Sequence, residues 1–167
     1  MVLFQDEFSL SNTATLSAVW SPTGKQPEVS CKQRPKERVT GFGTVNYLTG
    51  QLVVNFAQKG NVCTFKKHLK KVLRAYKGKR KIIIYVDNVR FHHAKSLKPF
   101  LAAHPELEIN YLPAYSPDLN PVERVWWYMR KNITHKIYKT QMYIFFHTLH
   151  PQVKILQYIL VISIFEQ

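Results

Sequence analysis

Three acidic residues stand where acids are not needed for solubility. Asp6 interrupts one face of an alternating apolar stretch, Asp87 directly follows the apolar run Ile82-Ile83-Ile84-Tyr85-Val86, and Glu123 lies just after Asn120-Pro121 at the start of a helical pattern. Carboxylates brought to close range repel, and a hard divalent cation with its preference for oxygen ligands relieves that repulsion. Two such ions about 3.5–4 Å apart can clamp the attacking and leaving oxygens of a phosphoryl displacement. Each acid also has a purely structural reading. Glu123 could close a capping box with Asn120, since Pro121 suits the first helical position. Asp87-Asn88 could be a turn pair, because both side chains bond nearby backbone readily. Asp6 is the hardest to explain structurally, although a slip of one residue would make its neighbour Glu7 the functional acid. His92 and His93 read as loop residues, with His92 alternatively near a metal-bound phosphate, and Trp126 and Trp127 as packing residues.

The elements that must position these acids follow from periodicity. Val2, Phe4, Phe8 and Leu10 alternate with Leu3, Gln5, Glu7 and Ser9, a strand pattern that puts Asp6 on the Phe4/Phe8 face. Pro22, Gly24, Pro27 and Pro35 mark a loop from Ser21 to Lys36. Val39–Tyr47 and Gln51–Phe56 read as strands joined in a hairpin around Thr49-Gly50. Asn61 caps a helix with Val62, Phe65, Leu69, Val72, Leu73 and Tyr76 on its apolar side, ending before Gly78. Ile82–Val86 has the unbroken apolar character of a strand covered on both faces. A short helix is expected over Lys95–Ala103, with Pro99 obscuring its start, then a strand over Glu108–Leu112. The last helix runs from Pro121 to about Ile133, with Val122, Val125, Trp126, Met129 and Ile133 inward. Three antiparallel strands, then helix, strand, helix, strand, helix, amount to a mixed α/β sheet with helices on its faces. If the first and fourth strands are neighbours, Asp6 and Asp87 come together at the carboxyl end of the fourth, where sites in such sheets form.

Composition narrows the partner. The chain has 167 residues and a formal net charge of +14, with 46% hydrophobic residues, which excludes a disordered polyelectrolyte. Its 14 basic and two acidic residues between Lys25 and Arg80 hold most of the excess, which favours a polyanion whose counterions are released on binding. Lys32, Arg34, Lys36 and Arg38 in the loop, and Lys66, Lys67, Lys70, Lys71 and Arg74 on the outer face of the helix, are the candidate nucleic-acid contacts. The two cysteines, Cys31 and Cys63, support neither a disulfide scaffold nor a zinc site. No signal peptide is visible, and the apolar stretch Val153–Phe165 falls short of the roughly 20 residues a membrane span needs, so a soluble cytoplasmic protein is expected.

The segment Ile83-Ile84-Tyr85-Val86-Asp87-Asn88 with Phe91-His92, and above all the long motif Leu112-Pro113-Ala114-Tyr115-Ser116-Pro117-Asp118-Leu119-Asn120-Pro121-Val122-Glu123-Arg124-Val125-Trp126, strongly resembles the DDE endonuclease domain of mariner-related insertion-sequence transposases. The 35 residues between Asp87 and Glu123 fit that family, as do Phe4-Gln5-Asp6-Glu7, Trp20, Gly24, Pro27, Gly41-Phe42-Gly43 and Thr49-Gly50. The resemblance covers about Val2 to His135. It implies a ribonuclease H-like fold and a catalytic, metal-holding triad of Asp6, Asp87 and Glu123, with Asn88, His92 and Asn120 accessory. Two Mg²⁺ or Mn²⁺ ions would serve hydrolysis at transposon ends and joining of the freed 3′-hydroxyl to target DNA, usually at TA. The implied partner is double-stranded DNA, with either a homodimer or pairing with a separate DNA-binding half.

Members of the family carry helix-turn-helix domains ahead of the catalytic domain, whereas five residues precede Asp6 here. The expectation is therefore a catalytic domain at 1–135 and a divergent or helical tail at 136–167, in a split or remnant protein. A non-catalytic basic DNA-binding fragment is the alternative.

Overall fold

The computed structural model describes residues 1–11, 20–25, 38–114 and 116–133. Five strands form one sheet: β1 (Val2–Ser11), β2 (Arg38–Asn46), β3 (Leu52–Ala57), β4 (Ile82–Val86) and β5 (Leu107–Tyr111). Their spatial order is β3-β2-β1-β4-β5. β1 pairs antiparallel with β2, and β2 with β3, while β1–β4 and β4–β5 are parallel. The hairpin, the parallel crossovers and the neighbouring of β1 and β4 all agree with the pattern in the sequence. At the hairpin, Asn46 Oδ1 accepts from the N–H groups of Leu48 and Thr49, and Gly50 takes a φ of 67°, a region that favours glycine.

The sheet is covered on both faces because its inner strands alternate two apolar sets. Leu3, Phe42, Val53, Ile82, Ile84 and Val86 pack against Phe65, Leu69 and Val72 of α1 (Val62–Ala75). Phe8 and Val45 pack on the opposite face against Val122, Val125, Trp126 and Met129 of α3 (Val122–Ile133). Each fully buried side chain of this kind contributes about 1.5–3 kcal/mol relative to exposure. α1 is capped as expected: Asn61 Oδ1 accepts from Cys63 and Thr64 N–H, and the Thr64 hydroxyl accepts from Asn61 N–H.

The segment expected as one short helix over Lys95–Ala103 divides. A 3-10 turn covers Lys95–Leu97, and α2 spans Lys98–Ala102 with Pro99 in its first turn, where its missing N–H is not needed. A further 3-10 turn, Arg90–His93, replaces the loop expected after Asp87. The tail at 136–167, the loop residues Lys32, Arg34 and Lys36, and Tyr115 lie outside the described residues.

Candidate active site

Asp6 and Glu7 are adjacent, so β1 sends them to opposite faces of the sheet. Asp6 pairs with Gly43 and faces α3; Glu7 pairs with Phe42 and faces α1. A Cβ on Gly43 would run into the Trp126 ring, so the glycine is what lets the indole lie across β2. There Trp126 Nε1 donates to Asp6 Oδ2 at 2.9 Å. Asp6 is only 7% exposed. Burial pushes its carboxyl up to about 8, and the negative charges of Glu123, Glu7 and Asp87 push the same way, against a weaker hydrogen bond from the Glu7 N–H. Glu123, exposed in the first turn of α3, and Asp87, at the carboxyl end of β4, therefore act on the same carboxylate.

On the α1 face the arrangement differs. His92, 1% exposed, sits between two carboxylates: Nε2 lies 3.1 Å from Glu7 Oε1 and Nδ1 lies 2.9 Å from Asp87 Oδ1. Its ring packs on Phe65 and Phe91 at centroid distances of 4.4 and 4.5 Å. Burial lowers the imidazole's proton affinity, but the hydrogen bonds to Asp87 and then Glu7 outweigh it and push His92 up to about 9. Among the described residues, Glu7, Asp87 and His92 offer ligand atoms within 4.8 Å of one another.

Two asparagines hold the frame. Asn120 Nδ2 donates to Gln5 O at 3.2 Å and its Oδ1 accepts from Val122 N–H at 3.2 Å, tying the start of α3 to β1. Asn88 Nδ2 donates to Leu112 O at 2.6 Å, joining the ends of β4 and β5. Both fix the elements that carry Glu123 and Asp87.

A family model for the DDE superfamily endonuclease matches residues 1–143. The chain belongs to that family. Among curated proteins, this DDE endonuclease is 26% identical over 133 residues to the insertion element IS630 uncharacterized 39 kDa protein of Shigella sonnei, covering 80% of this chain and 38% of that protein. Among solved structures it is similar to the Mos1 strand transfer complex, with a TM-score of 0.66 at 17% identity, over 97% of this chain and 54% of the other. The Mos1 mariner paired end complex with Mn superimposes with a TM-score of 0.64 at 13% identity, over 97% of this chain and 55% of the other. The fold is thus the ribonuclease H-like one expected, and the chain spans roughly a third to a half of the length of these relatives.

The basic residues of the endonuclease fall where the helical pattern places them. Lys67, Lys70, Lys71 and Arg74 are exposed on α1 and Lys66 is half-buried, while Lys71 Nζ also donates to Val54 O at 2.6 Å. Arg38 is exposed at the end of β2, its Nε donating to Ser9 Oγ at 2.9 Å. No helix among the described residues is long and apolar enough to cross a membrane. Two features were missed in the sequence: the hydrogen bond from Trp126 to Asp6, and the clamping of His92. Glycine at 41 and 43 within a strand was the available hint of a close approach to β2.

Proposed function

We propose that this chain is the catalytic domain of a transposase, in which Asp6, Asp87 and Glu123 hold a pair of divalent ions, Mg²⁺ or Mn²⁺. The observation that carries this reading is where the acids lie: Asp6 is buried on β1, which pairs with β4, whose carboxyl end carries Asp87, and its indole partner belongs to α3, whose first turn carries Glu123. An all-oxygen donor set with unrelieved negative charge suits a hard cation. The similarity to a Mos1 complex that contains Mn supports the same choice.

Bound there, such ions supply activation of the attacking oxygen and stabilisation of charge at the scissile phosphate. The chain's own residues do the positioning. Trp126 holds Asp6 Oδ2, leaving the carboxylate one fixed orientation. Asn120 locks the first turn of α3, and so Glu123, against β1. The cationic face of α1, with Arg38, draws the phosphate backbone of double-stranded DNA toward the sheet. The substrates are transposon ends and a target containing TA, engaged by a dimer or together with a separate DNA-binding half.

Manganese-dependent nicking of plasmid DNA by the purified chain, with Asp87→Ala as control, tests the proposal. Nicking that disappears in the variant supports it. Equal nicking by both proteins eliminates it, and retained DNA binding without nicking points to the non-catalytic fragment instead.

A further inference from the structure

Gln5, Glu7, His92 and Asp87 form one continuous polar chain on the α1 side of β1. Gln5 Nε2 donates to Glu7 Oε1 at 2.9 Å, and the same oxygen faces His92 Nε2 at 3.1 Å. His92 Nδ1 faces Asp87 Oδ1 at 2.9 Å and Asp87 O at 3.1 Å. Gln5 is fully buried and the Glu7 side chain is 14% exposed. The Tyr111 hydroxyl donates to His92 O at 3.0 Å, so the backbone behind the ring is held as well. Phe65 and Phe91 leave the ring little freedom to rotate.

We propose that Glu7 and His92 are positioning residues, with Glu7 acting through the His92 ring to fix the carboxylate of Asp87 for its cation. The inference rests on the triad reading above and adds residues to it. An aspartate at the end of a strand has a broad terminal torsion, and its orientation is set by what bonds it. A rigid ring anchored at its far nitrogen supplies the shorter bond here, at 2.9 Å, beside a longer one from Val89 N–H at 3.4 Å. Partners of this kind behind a metal ligand commonly alter metal affinity by about 10–100-fold when removed. A cation held directly by Glu7, His92 and Asp87 is the competing use of the same atoms. It would require His92 to release one of its two carboxylate bonds, because both ring nitrogens are engaged.

Calorimetric titration of Mn²⁺ into the intact, metal-stripped chain separates these cases, with thermal melts in metal-free buffer reporting the fold. Glu7→Gln and His92→Gln should each weaken Mn²⁺ binding by about 10–100-fold at unchanged stoichiometry. The double variant should bind no more weakly than His92→Gln alone, since Glu7 works through the ring. Glu7→Gln is isosteric and carries the test should His92→Gln fail to fold. Wild-type affinity in Glu7→Gln, alongside lost binding in Asp87→Asn, overturns the proposal and leaves the triad standing. Multiplying single-variant effects in the double variant, or a lost equivalent of metal in Glu7→Gln, overturns it too. Wild-type binding by Asp87→Asn removes the triad reading itself, and this inference with it.

Discussion

Asp6 and Glu7 are neighbours in sequence, yet the two faces of the sheet treat their carboxylates in opposite ways. On the α1 face, Glu7 accepts from Gln5 and meets a histidine whose proton affinity its own carboxylate raises. On the α3 face, Asp6 receives a neutral indole N–H, while the surrounding charges are all of its own sign. The protein therefore balances one acid internally and leaves the other short of positive charge. A buried carboxyl among like charges keeps its proton until a counter-charge displaces it, and an external cation can supply that counter-charge. On the proposed reading, that contrast separates an acid that supports a site from one that serves as a ligand, although nothing in their residue types does so.

The sharpest way to break the comparison is to neutralise the unbalanced acid. Asp6→Asn should reduce Mn²⁺-dependent nicking by about a hundred- to a thousandfold, the scale of losing a principal electrostatic stabiliser. Its thermal stability without metal should not fall at about pH 7, where the carboxyl already holds its proton and the amide matches it in size and neutrality. Nicking at the wild-type rate would show that Asp6 is not the acid that matters.

Next in size is the response to metal and pH. Asp6 titrates near 8 in the fold, above its ordinary value, so the folded state holds a proton that the unfolded state has released. Stability should fall as pH rises between about 4 and about 8, and the Asp6 contribution should be flat beyond. His92, raised to about 9, has the same sign: its contribution is complete below about 6.5 and is lost as pH climbs through about 9. Melts across this range should show both segments in the wild type and only the upper one in Asp6→Asn. Mn²⁺ competes with the Asp6 proton, so its stabilisation should grow with pH, reaching about 2.7 kcal/mol at a hundred times its dissociation constant. A pH-independent metal effect would mean that the ion binds elsewhere.

Trp126→Phe probes the side-chain donor to Asp6 on the α3 face. It removes the N–H that meets Asp6 Oδ2 and leaves that buried oxygen without its partner, which costs about 1–3 kcal/mol. Denaturant unfolding above about pH 8, where Asp6 is ionised, would register this, and the loss should shrink in an Asp6→Asn background, whose amide is a neutral acceptor. Equal losses in both backgrounds would assign the effect to ring packing alone.

What the sequence disclosed was whatever is local. The unbroken run Ile82–Val86, the Asn61 cap and the apolar stripe of α1 each carry their own periodicity or hydrogen-bond logic, and all appear in the structure. Asp6 was conspicuous because it interrupts an apolar strand face, whereas Asp87 and Glu123, each with a ready local role, stood out through the motifs around them. Glu7 was visible only as a slipped alternative to Asp6, whereas in the fold the two work on separate faces. The bond from Trp126 to Asp6 spans 120 residues, and that from His92 to Glu7 spans 85. Such pairings depend on how helices seat on the sheet, which no short window of sequence encodes. His92 read as a loop polar group, alternatively near a metal-bound phosphate, and its burial escaped notice because burial, too, is set by tertiary packing.

Gly43 offers the smallest and most local test of how the α3 face is built. In a strand, alanine should gain about 0.4–1 kcal/mol over glycine through the unfolded chain. At this position the new Cβ would instead collide with the Trp126 ring, and overpacking of a filled core costs about 1–3 kcal/mol. The net expectation for Gly43→Ala is a loss of about 1 kcal/mol, measured by denaturant unfolding. Because the ring that must move also carries the donor to Asp6, metal-dependent nicking should decline with it. Combining Gly43→Ala with Trp126→Phe, whose smaller ring makes room for the methyl group, should cost no more stability than Trp126→Phe alone, with the donor still absent. Such non-additive stability with no recovery of nicking would show that the glycine is there to seat the indole. A Gly43→Ala protein as stable and active as the wild type would mean that the ring has another place to go, and that Asp6 does not depend on it.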